Sequence, residues 1–157
     1  MEGISGLPAK LLNRLQGGVN TAARLVCHTN HITPVLKDLH WLRIKERIQY
    51  KLCAVAFRCQ HSLAPPYLSD QLQQVAQMEP RQRLRSSSSR AIVVPPTRRS
   101  SLGDRAFLIA AARARNSLSS TVTAATTLHS FRRTLKTHLF TAYSPLSELY
   151  CLHSEPA

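Results

Sequence analysis

Apolar residues in this chain recur every three or four positions, the spacing that places them on one face of an α-helix. The pattern is clearest over residues 128–142, where Leu128, Phe131, Leu135 and Leu139 form one stripe. Glycine is scarce, with 5 residues among 157, and the helical rather than alternating rhythm disfavours a β-sandwich. The sequence therefore predicts a mostly α fold, built as a small irregular helical domain.

Five further segments carry the same signal. Their apolar stripes and end signals predict helices over residues 8–26, 33–41, 43–61, 67–75 and 104–116. In the first, Gly17 and Gly18 predict a kink or break, because glycine inside a helix costs about 1 kcal/mol relative to alanine. In the second, Thr33 has the chemistry of an N-cap and Pro34 follows in the first turn. The predicted stripe of the third comprises Ile44, Ile48, Leu52, Val55 and Cys59.

Composition divides the chain into four predicted parts. Residues 1–78 form an N-terminal helical part, 79–102 a basic linker rich in Arg, Ser and Pro, 103–142 the C-terminal helices, and 143–157 a loose tail. Within the linker, the apolar run from Ala91 to Val94 has the composition of a short strand.

The charge balance favours an anionic partner. Lys and Arg number 21 against 8 Asp and Glu, a formal charge of +13, and self-repulsion on this scale is relieved by a polyanion. Two predicted helices place basic residues beside their apolar stripes, a pattern typical of contacts to an RNA or DNA backbone and equally of solvated helix faces. These candidates are Arg43, Arg47, Lys51 and Arg58 on one helix and Arg132, Arg133 and Lys136 on the other.

Trp41, next to His40, has two interpretations. An indole can stack on a base, but a lone tryptophan at the end of an apolar helix is more typical of a core.

The residues for catalysis or metal binding are dispersed. Metal-dependent phosphoryl transfer needs clustered carboxylates, whereas Asp38, Asp70 and Asp104 stand alone in different segments, and no glycine-rich phosphate loop occurs. For zinc, Cys27, His28 and His31 make the only local cluster. Cys53, Cys59 and His61 are conceivable supplementary ligands, but the two close pairs of a structural zinc site are absent, and both cysteines fit positions on or beside a buried helix face. We therefore expect no enzyme activity, no cofactor, no metal and no small-molecule substrate.

The expected location is the nucleus or cytoplasm. No apolar run approaches the roughly 20 residues that cross a bilayer, and no secretory signal opens the chain. The four cysteines lack a regular spacing, so we expect reduced thiols, no secretion and no membrane partner, while the oligomeric state stays open.

Residues 31–42 (HITPVLKDLHWL) and 47–52 (RIQYKL) carry a resemblance to a known family. The chain resembles the C-terminal end of reverse transcriptases from LINE-type, non-LTR retrotransposons. Further strings keep the family's order: residues 22–26 (AARLV), 63–68 (LAPPYL), 84–87 (LRSS), 103–107 (GDRAF), 116–118 (NSL) and 135–140 (LKTHLF). Together they span most of residues 7–140.

The resemblance implies an origin in an element that nicks DNA and copies its RNA at the nick. The family's catalytic aspartates lie in a Tyr/Phe-Ala-Asp-Asp motif far upstream of this region, and this sequence contains neither that motif nor the endonuclease. Where the family usually has Pro-Arg-Leu-Trp-Asn, this chain has residues 112–116 (ARARN), with Arg115 in place of the aromatic residue. Losing a buried aromatic side chain typically costs about 3–5 kcal/mol. The Gly17-Gly18 pair likewise replaces a helix-forming stretch, so both departures fit a drifting remnant as well as a maintained module.

Two functions compete. The first is a non-catalytic remnant of the reverse transcriptase that binds RNA or DNA backbones without sequence preference, and a continuous basic surface would favour it. The alternative is a helical docking module of the lost polymerase with no independent function, which an exposed apolar patch would favour.

Overall fold

A computed structural model describes residues 7–29, 31–77, 91–97, 103–104 and 106–142. The described residues form seven α-helices, which confirms the predicted mostly α fold. They are α1 (Ala9–Cys27), α2 (Ile32–Asp38), α3 (Ile44–Gln60), α4 (Pro66–Ser69), α5 (Phe107–Asn116), α6 (Ser120–Thr123) and α7 (Leu128–Ala142). None of these helices has both the length and the apolar character needed to cross a membrane.

Helix α3 lies at the centre and packs against both α5 and α7. Its Phe57 stacks on Phe131 of α7, with ring centroids 4.5 Å apart, and both side chains are fully buried. Because α5 and α7 cover other sides of α3, its buried face departs from the predicted stripe, of which Ile44, Ile48, Leu52 and Val55 are only half-buried. Of that stripe Cys59 is buried, while the other buried residues are Cys53, Ala54, Ala56 and Phe57.

A second apolar cluster joins α3 and α5 to the segment of residues 91–97. Ala56, Ala111 and Ala112 are fully buried there, and their small side chains let the two helices approach closely. Ile92 is also buried, and Asn116 holds its backbone: the amide Nδ2 donates to the Ile92 carbonyl (2.8 Å) and Oδ1 accepts from the Ile92 N–H (2.9 Å). This pairing ties part of the predicted linker to the core.

The expected strand over residues 91–94 is reduced to a single antiparallel bridge between Gln74 and Ile92. Two hydrogen bonds flank it, from Val75 N–H to the Ala91 carbonyl (3.0 Å) and from Val93 N–H to the Gln73 carbonyl (2.9 Å). The Asn116 amide bonds both backbone polar groups of Ile92, so further ladder pairing is not needed to satisfy them.

Helix α1 packs against α2 and the start of α3 around Ala23, Val35 and Leu36. The predicted break at Gly17-Gly18 does not occur, because α1 continues as one helix through both glycines. Thr21 Oγ1 donates to the Gly17 carbonyl (3.0 Å), and packing of the following turns on α2 offsets the modest local cost of the glycines. The Gln16 side chain also accepts a hydrogen bond from the first backbone N–H of α3, at Ile44 (2.9 Å).

Helix boundaries differ from the predictions mainly in the shorter elements. Helix α2 begins after His31 rather than Thr33 and ends before the left-handed His40 (φ 53°) rather than at Trp41. The helix predicted over 67–75 is instead α4 followed by a 3-10 turn at Val75–Gln77. Helix α5 begins at Phe107, and Asp104 outside it pairs with Arg113 (2.8 Å).

Helices α3 and α7 match their predicted spans to within one residue at each end. The predicted tail, residues 143–157, lies outside the described residues, as do residues 78–90 and 98–102 of the region around the linker.

Arg115 of α5 is charged, yet its side chain is buried, at 4% exposure. Its guanidinium carbon lies over the ring of Phe131, 5.7 Å from the centroid. A guanidinium is planar and stacks on aromatic faces, so this contact lets Arg115 pack beside the buried ring of Phe131.

Candidate nucleic-acid interface

Three of the seven predicted contact residues meet in one groove between α3 and α7. A surface pocket of about 280 Å³ there is lined by His40, Leu42, Arg47, Tyr50, Lys51 and Lys136. We call these six residues the basic groove. Arg47 and Lys51 come from successive turns of α3, and Lys136 comes from the facing side of α7.

Packing of the two helices fixes these cations. Lys136 directly follows the fully buried Leu135, so its backbone is anchored to the core. The Lys136 ammonium lies 5.8 Å from the centroid of Phe140, and the Arg47 guanidinium lies 6.0 Å from that of Trp41. Contacts of this kind stabilise by about 0.5–1 kcal/mol at exposed sites, and they orient the stems without neutralising the charge.

The basic groove continues into a neighbouring pocket of about 390 Å³ lined by Lys37, His40, Thr137, Phe140 and Thr141. His40 borders both pockets, and its ring lies edge-on to Phe140 with centroids 6.3 Å apart. Among the described residues that line the two pockets, none is acidic. The cations of the two pockets therefore form one positively charged strip along α2, α3 and α7.

The other four predicted residues lie outside this groove. Arg43 is half-buried directly before α3, and Arg132 is exposed on α7. Arg58, near the opposite end of α3, donates from Nε to the Leu63 carbonyl (3.2 Å). Arg133 borders a separate pocket of about 400 Å³ on the side of α7 that faces α6.

Sequence reasoning missed Lys37, His40 and Tyr50 as neighbours of these cations. Lys37 belongs to a short helix without a basic flank, and His40 to the turn after it. Their proximity to α7 depends on how α2 packs, and no local pattern reports that.

The packing of Trp41 favours its interpretation as a core residue over a role in base stacking. It is half-buried and packs against the cluster of Ala23, Val35 and Leu36. With the Arg47 guanidinium over its ring as well, the indole has neighbours on more than one side.

Burial disfavours the reactive thiolate form of Cys53 and Cys59. Desolvation by burial raises the pKa of Cys53 to about 12, although the positive charge of Arg115 acts in the opposite direction. Burial also raises the pKa of Cys59, with a hydrogen bond from Ser69 and the charge of Arg58 opposing it. Protonated thiols are poor nucleophiles and poor metal ligands. In the part of the chain that the structure describes, no three His, Cys, Asp or Glu residues are grouped to hold a metal ion.

Helix α1 presents a large apolar face to solvent. Leu11 and Leu15 are about half exposed, and Leu25 and Val26 are 71% and 58% exposed. The stripe on α1 is broader than the surface that α2 and α3 cover, so its outer half stays exposed.

Comparison with protein-family models, with curated proteins and with solved structures found no match to this chain. The resemblance to non-LTR reverse transcriptases therefore rests on the sequence strings alone.

Proposed function

We propose that this protein is a non-catalytic, C-terminal remnant of a non-LTR retrotransposon reverse transcriptase that binds RNA or DNA backbones without sequence preference. The observation that carries the proposal is the basic groove, where Arg47, Lys51 and Lys136 from two helices converge and none of the described lining residues is acidic. The sequence resemblance supplies the class of partner.

Binding in this proposal is electrostatic. The guanidinium and ammonium groups donate to phosphate oxygens, and the neutralised phosphates release their condensed counterions. The two aromatic rings under Arg47 and Lys136 hold the stems in place, which lowers the entropy lost when a strand is bound. Backbone contacts position a strand but carry no sequence information, so all sequences are bound alike.

The test is a fluorescence-anisotropy titration of random RNA, single-stranded DNA and duplex DNA across a range of salt concentrations. If about five phosphates are neutralised, log K for duplex DNA falls with log salt at a slope near −4.5. The triple variant Arg47→Ala, Lys51→Ala, Lys136→Ala should weaken binding to all three ligands. It should also flatten the slope by about 2.7, because each phosphate that is no longer neutralised removes about 0.9 from it.

Helix α1 offers a matched control. Lys10, Arg14 and Arg24 are exposed and lie outside the groove lining, so their triple alanine variant removes the same charge from another surface. It should retain most of the binding. If both variants weaken binding equally, the interaction depends on the net charge of the protein and not on the basic groove. Undetectable binding at low salt would reject the proposal.

The exposed apolar face of α1 supports a second candidate function. The exposed leucines and valine of α1 favour a helical docking module that packed against the polymerase part of its parent enzyme and has no independent function. Under this function the chain binds no nucleic acid at low salt and binds an apolar dye such as ANS on α1. The variant Leu15→Gln, Leu25→Gln should then abolish the dye signal without changing the helical circular dichroism.

A further inference from the structure

Helix α1 carries a second regular pattern beside the face that packs on α2. Its members are spaced alternately by four and three residues, which is the spacing of the a and d positions in the seven-residue repeat of a coiled coil. They are Leu11, Leu15, Gly18, Ala22 and Leu25, and we call these five residues the α1 seam. The seam covers two heptads, or about 21 Å of helix at 1.5 Å per residue.

The α1 seam lies on the solvent side of the helix. Leu11, Leu15, Gly18 and Leu25 are exposed, and Ala22 is half-buried. A Cβ added at Gly18 meets no atom within 4 Å, so the middle of the seam faces open space. The seam is therefore distinct from the strip around the fully buried Ala23 that packs on α2.

The small residues in the seam favour another helix as the occupant. In a coiled coil each side chain of one helix inserts between four residues of the facing helix. Gly18 and Ala22 leave room for such side chains beside the larger Leu15 and Leu25. A lipid surface requires no such spacing, and the apolar face of a lipid-bound helix is rich in Trp, Phe and Leu. The regular spacing and the small residues therefore fit a helix better than a membrane.

Charge on one flank of the seam specifies the partner further. In the heptad Arg14 takes a g position and Lys10 and Arg24 take c positions, which lie on the same side of the seam, and all three are exposed. Residues 7–29 contain no Asp or Glu, so a second copy of α1 would bring no carboxylate to this flank. Charges of opposite sign across an interface steer association and select the partner. The complementary helix is acidic along the edge that meets Arg14.

We propose that the α1 seam binds one amphipathic helix of another protein, whose apolar a and d residues are flanked by acidic side chains. The apolar residues of that helix cover the seam, and its carboxylates pair with the basic flank. The proposal rests on the docking function given above as the second candidate, for which it names the partner, and it is independent of nucleic-acid binding. Two heptads form a small contact, of the class that binds weakly and reversibly.

The probe is a synthetic, fluorescently labelled peptide of four heptads with Leu at a and d and Glu at e and g. Repulsion between its glutamates weakens its pairing with itself. With the full chain we expect a saturable rise in anisotropy and a gain in helical circular dichroism over the sum of the separate spectra. A matched peptide with Lys at e and g should bind about tenfold more weakly or worse. Equal binding of the two peptides, or no binding of the Glu peptide, would overturn the proposal.

Variants of α1 locate the contact. Leu15→Gln, Leu25→Gln removes two exposed seam side chains, and glutamine is a good helix former, so the helix should be kept. Asn13→Gln, Gly17→Gln places the same two amides at exposed positions outside the seam. The seam variant should weaken binding of the Glu peptide by about tenfold or more, and the control should bind like the wild type. The same affinity in both variants would place the peptide elsewhere and contradict the proposal.

Reversing one charge gives a test that leaves the apolar seam intact. Arg14→Glu should weaken binding of the Glu peptide and strengthen that of the Lys peptide, because it reverses the charge next to the seam. Arg132→Glu makes the same change at an exposed position on α7 and should leave the preference of the wild type unchanged. If both variants change the preference equally, the net charge of the protein explains it and the seam does not.

Two measurements test the other occupants. Binding to vesicles of phosphatidylcholine and phosphatidylserine that the seam variant abolishes, without binding of the Glu peptide, would replace the helix by a lipid surface. Dimers in sedimentation velocity that the seam variant abolishes would assign the seam to a second copy. Binding of ANS to α1 without binding of the Glu peptide would keep the docking face and reject the acidic helix. The triple variant of the basic groove should bind the Glu peptide no more weakly than Arg132→Glu does, so failure of the nucleic-acid proposal does not affect these results.

Discussion

Helices α1 and α7 carry similar apolar stripes but differ in what covers them. On α7, Phe131, Leu135 and Leu139 are buried in the core that α3 and α6 complete. On α1 the buried residue is Ala23, while the four large side chains on its outer face are exposed. An apolar stripe stabilises a fold only where another element covers it, so the two helices should contribute very differently to stability.

The difference extends to function. Burial of α7 anchors Lys136 beside α3 and so helps to build the basic groove. The basic residues of α1 lie on a helix that is covered on one side only, and they do not line the groove. The covered helix therefore carries the candidate site, and the half-covered one carries the candidate docking face.

The strongest test of this comparison is Phe131→Ala against Leu25→Ala. Loss of the buried ring, with its stacking on Phe57, should lower the free energy of unfolding by about 3–5 kcal/mol. Leu25 is 71% exposed, and its truncation should change stability by no more than about 0.5 kcal/mol. Urea denaturation followed by circular dichroism measures both. A comparable cost for Leu25→Ala would mean that something covers α1 in solution.

Local sequence predicted some features well because neighbours along the chain determine them. The 3.6-residue rhythm placed α3 and α7 nearly in full. It did not predict the wide burial of Cys53, Ala56 and Phe57 on α3, because that depends on two helices distant in sequence. The same limit applies to the candidate site: the basic flanks were visible, whereas the approach of Lys37 and His40 and the burial of Arg115 required the tertiary packing.

Asn116→Ala tests how much the segment of residues 91–97 contributes to the stability of the core. The variant removes both hydrogen bonds to the buried Ile92 backbone, which should cost about 1–3 kcal/mol. Asn13→Ala on the exposed surface of α1 is the control and should be close to neutral. If thermal melting gives similar Tm values for the two variants, the segment adds little to the core.

Burial of the Cys53 thiol should make the stability of the protein depend on pH in the alkaline range. Its pKa is raised from 9.0 to about 12, so the folded state holds a proton that the unfolded state releases above pH 9. The stabilisation is complete below pH 9 and is lost as the pH rises toward 12, by at most about 1.4 kcal/mol per pH unit. Denaturation midpoints for the wild type should fall more steeply over this range than those of Cys53→Ala. Parallel curves would contradict the burial of this thiol.

We expect the smallest changes in stability from Gly17→Ala and Gly18→Ala, which test whether the exposed side of α1 is solvated. Both glycines are helical, and an added Cβ at either position meets no atom within 4 Å. Each substitution should therefore stabilise the protein by about 0.5–1 kcal/mol, through a smaller loss of backbone entropy on folding. Gly103→Ala is the contrasting control, since its Cβ would lie 2.7 Å from Cγ2 of Thr97 and should lower the Tm.

The sign of the stability change at Gly17 and Gly18 indicates whether the outer face of α1 is solvated. A gain at both glycines agrees with an outer face that is solvated in the free protein. A loss at Gly18, which lies between the exposed Leu15 and Leu25 on that face, would mean that another surface packs too closely there for a methyl group. Sedimentation velocity at several protein concentrations would then identify that surface: a concentration-dependent rise indicates a second copy of the chain, and a constant monomer value leaves residues outside the described ranges as the covering segment.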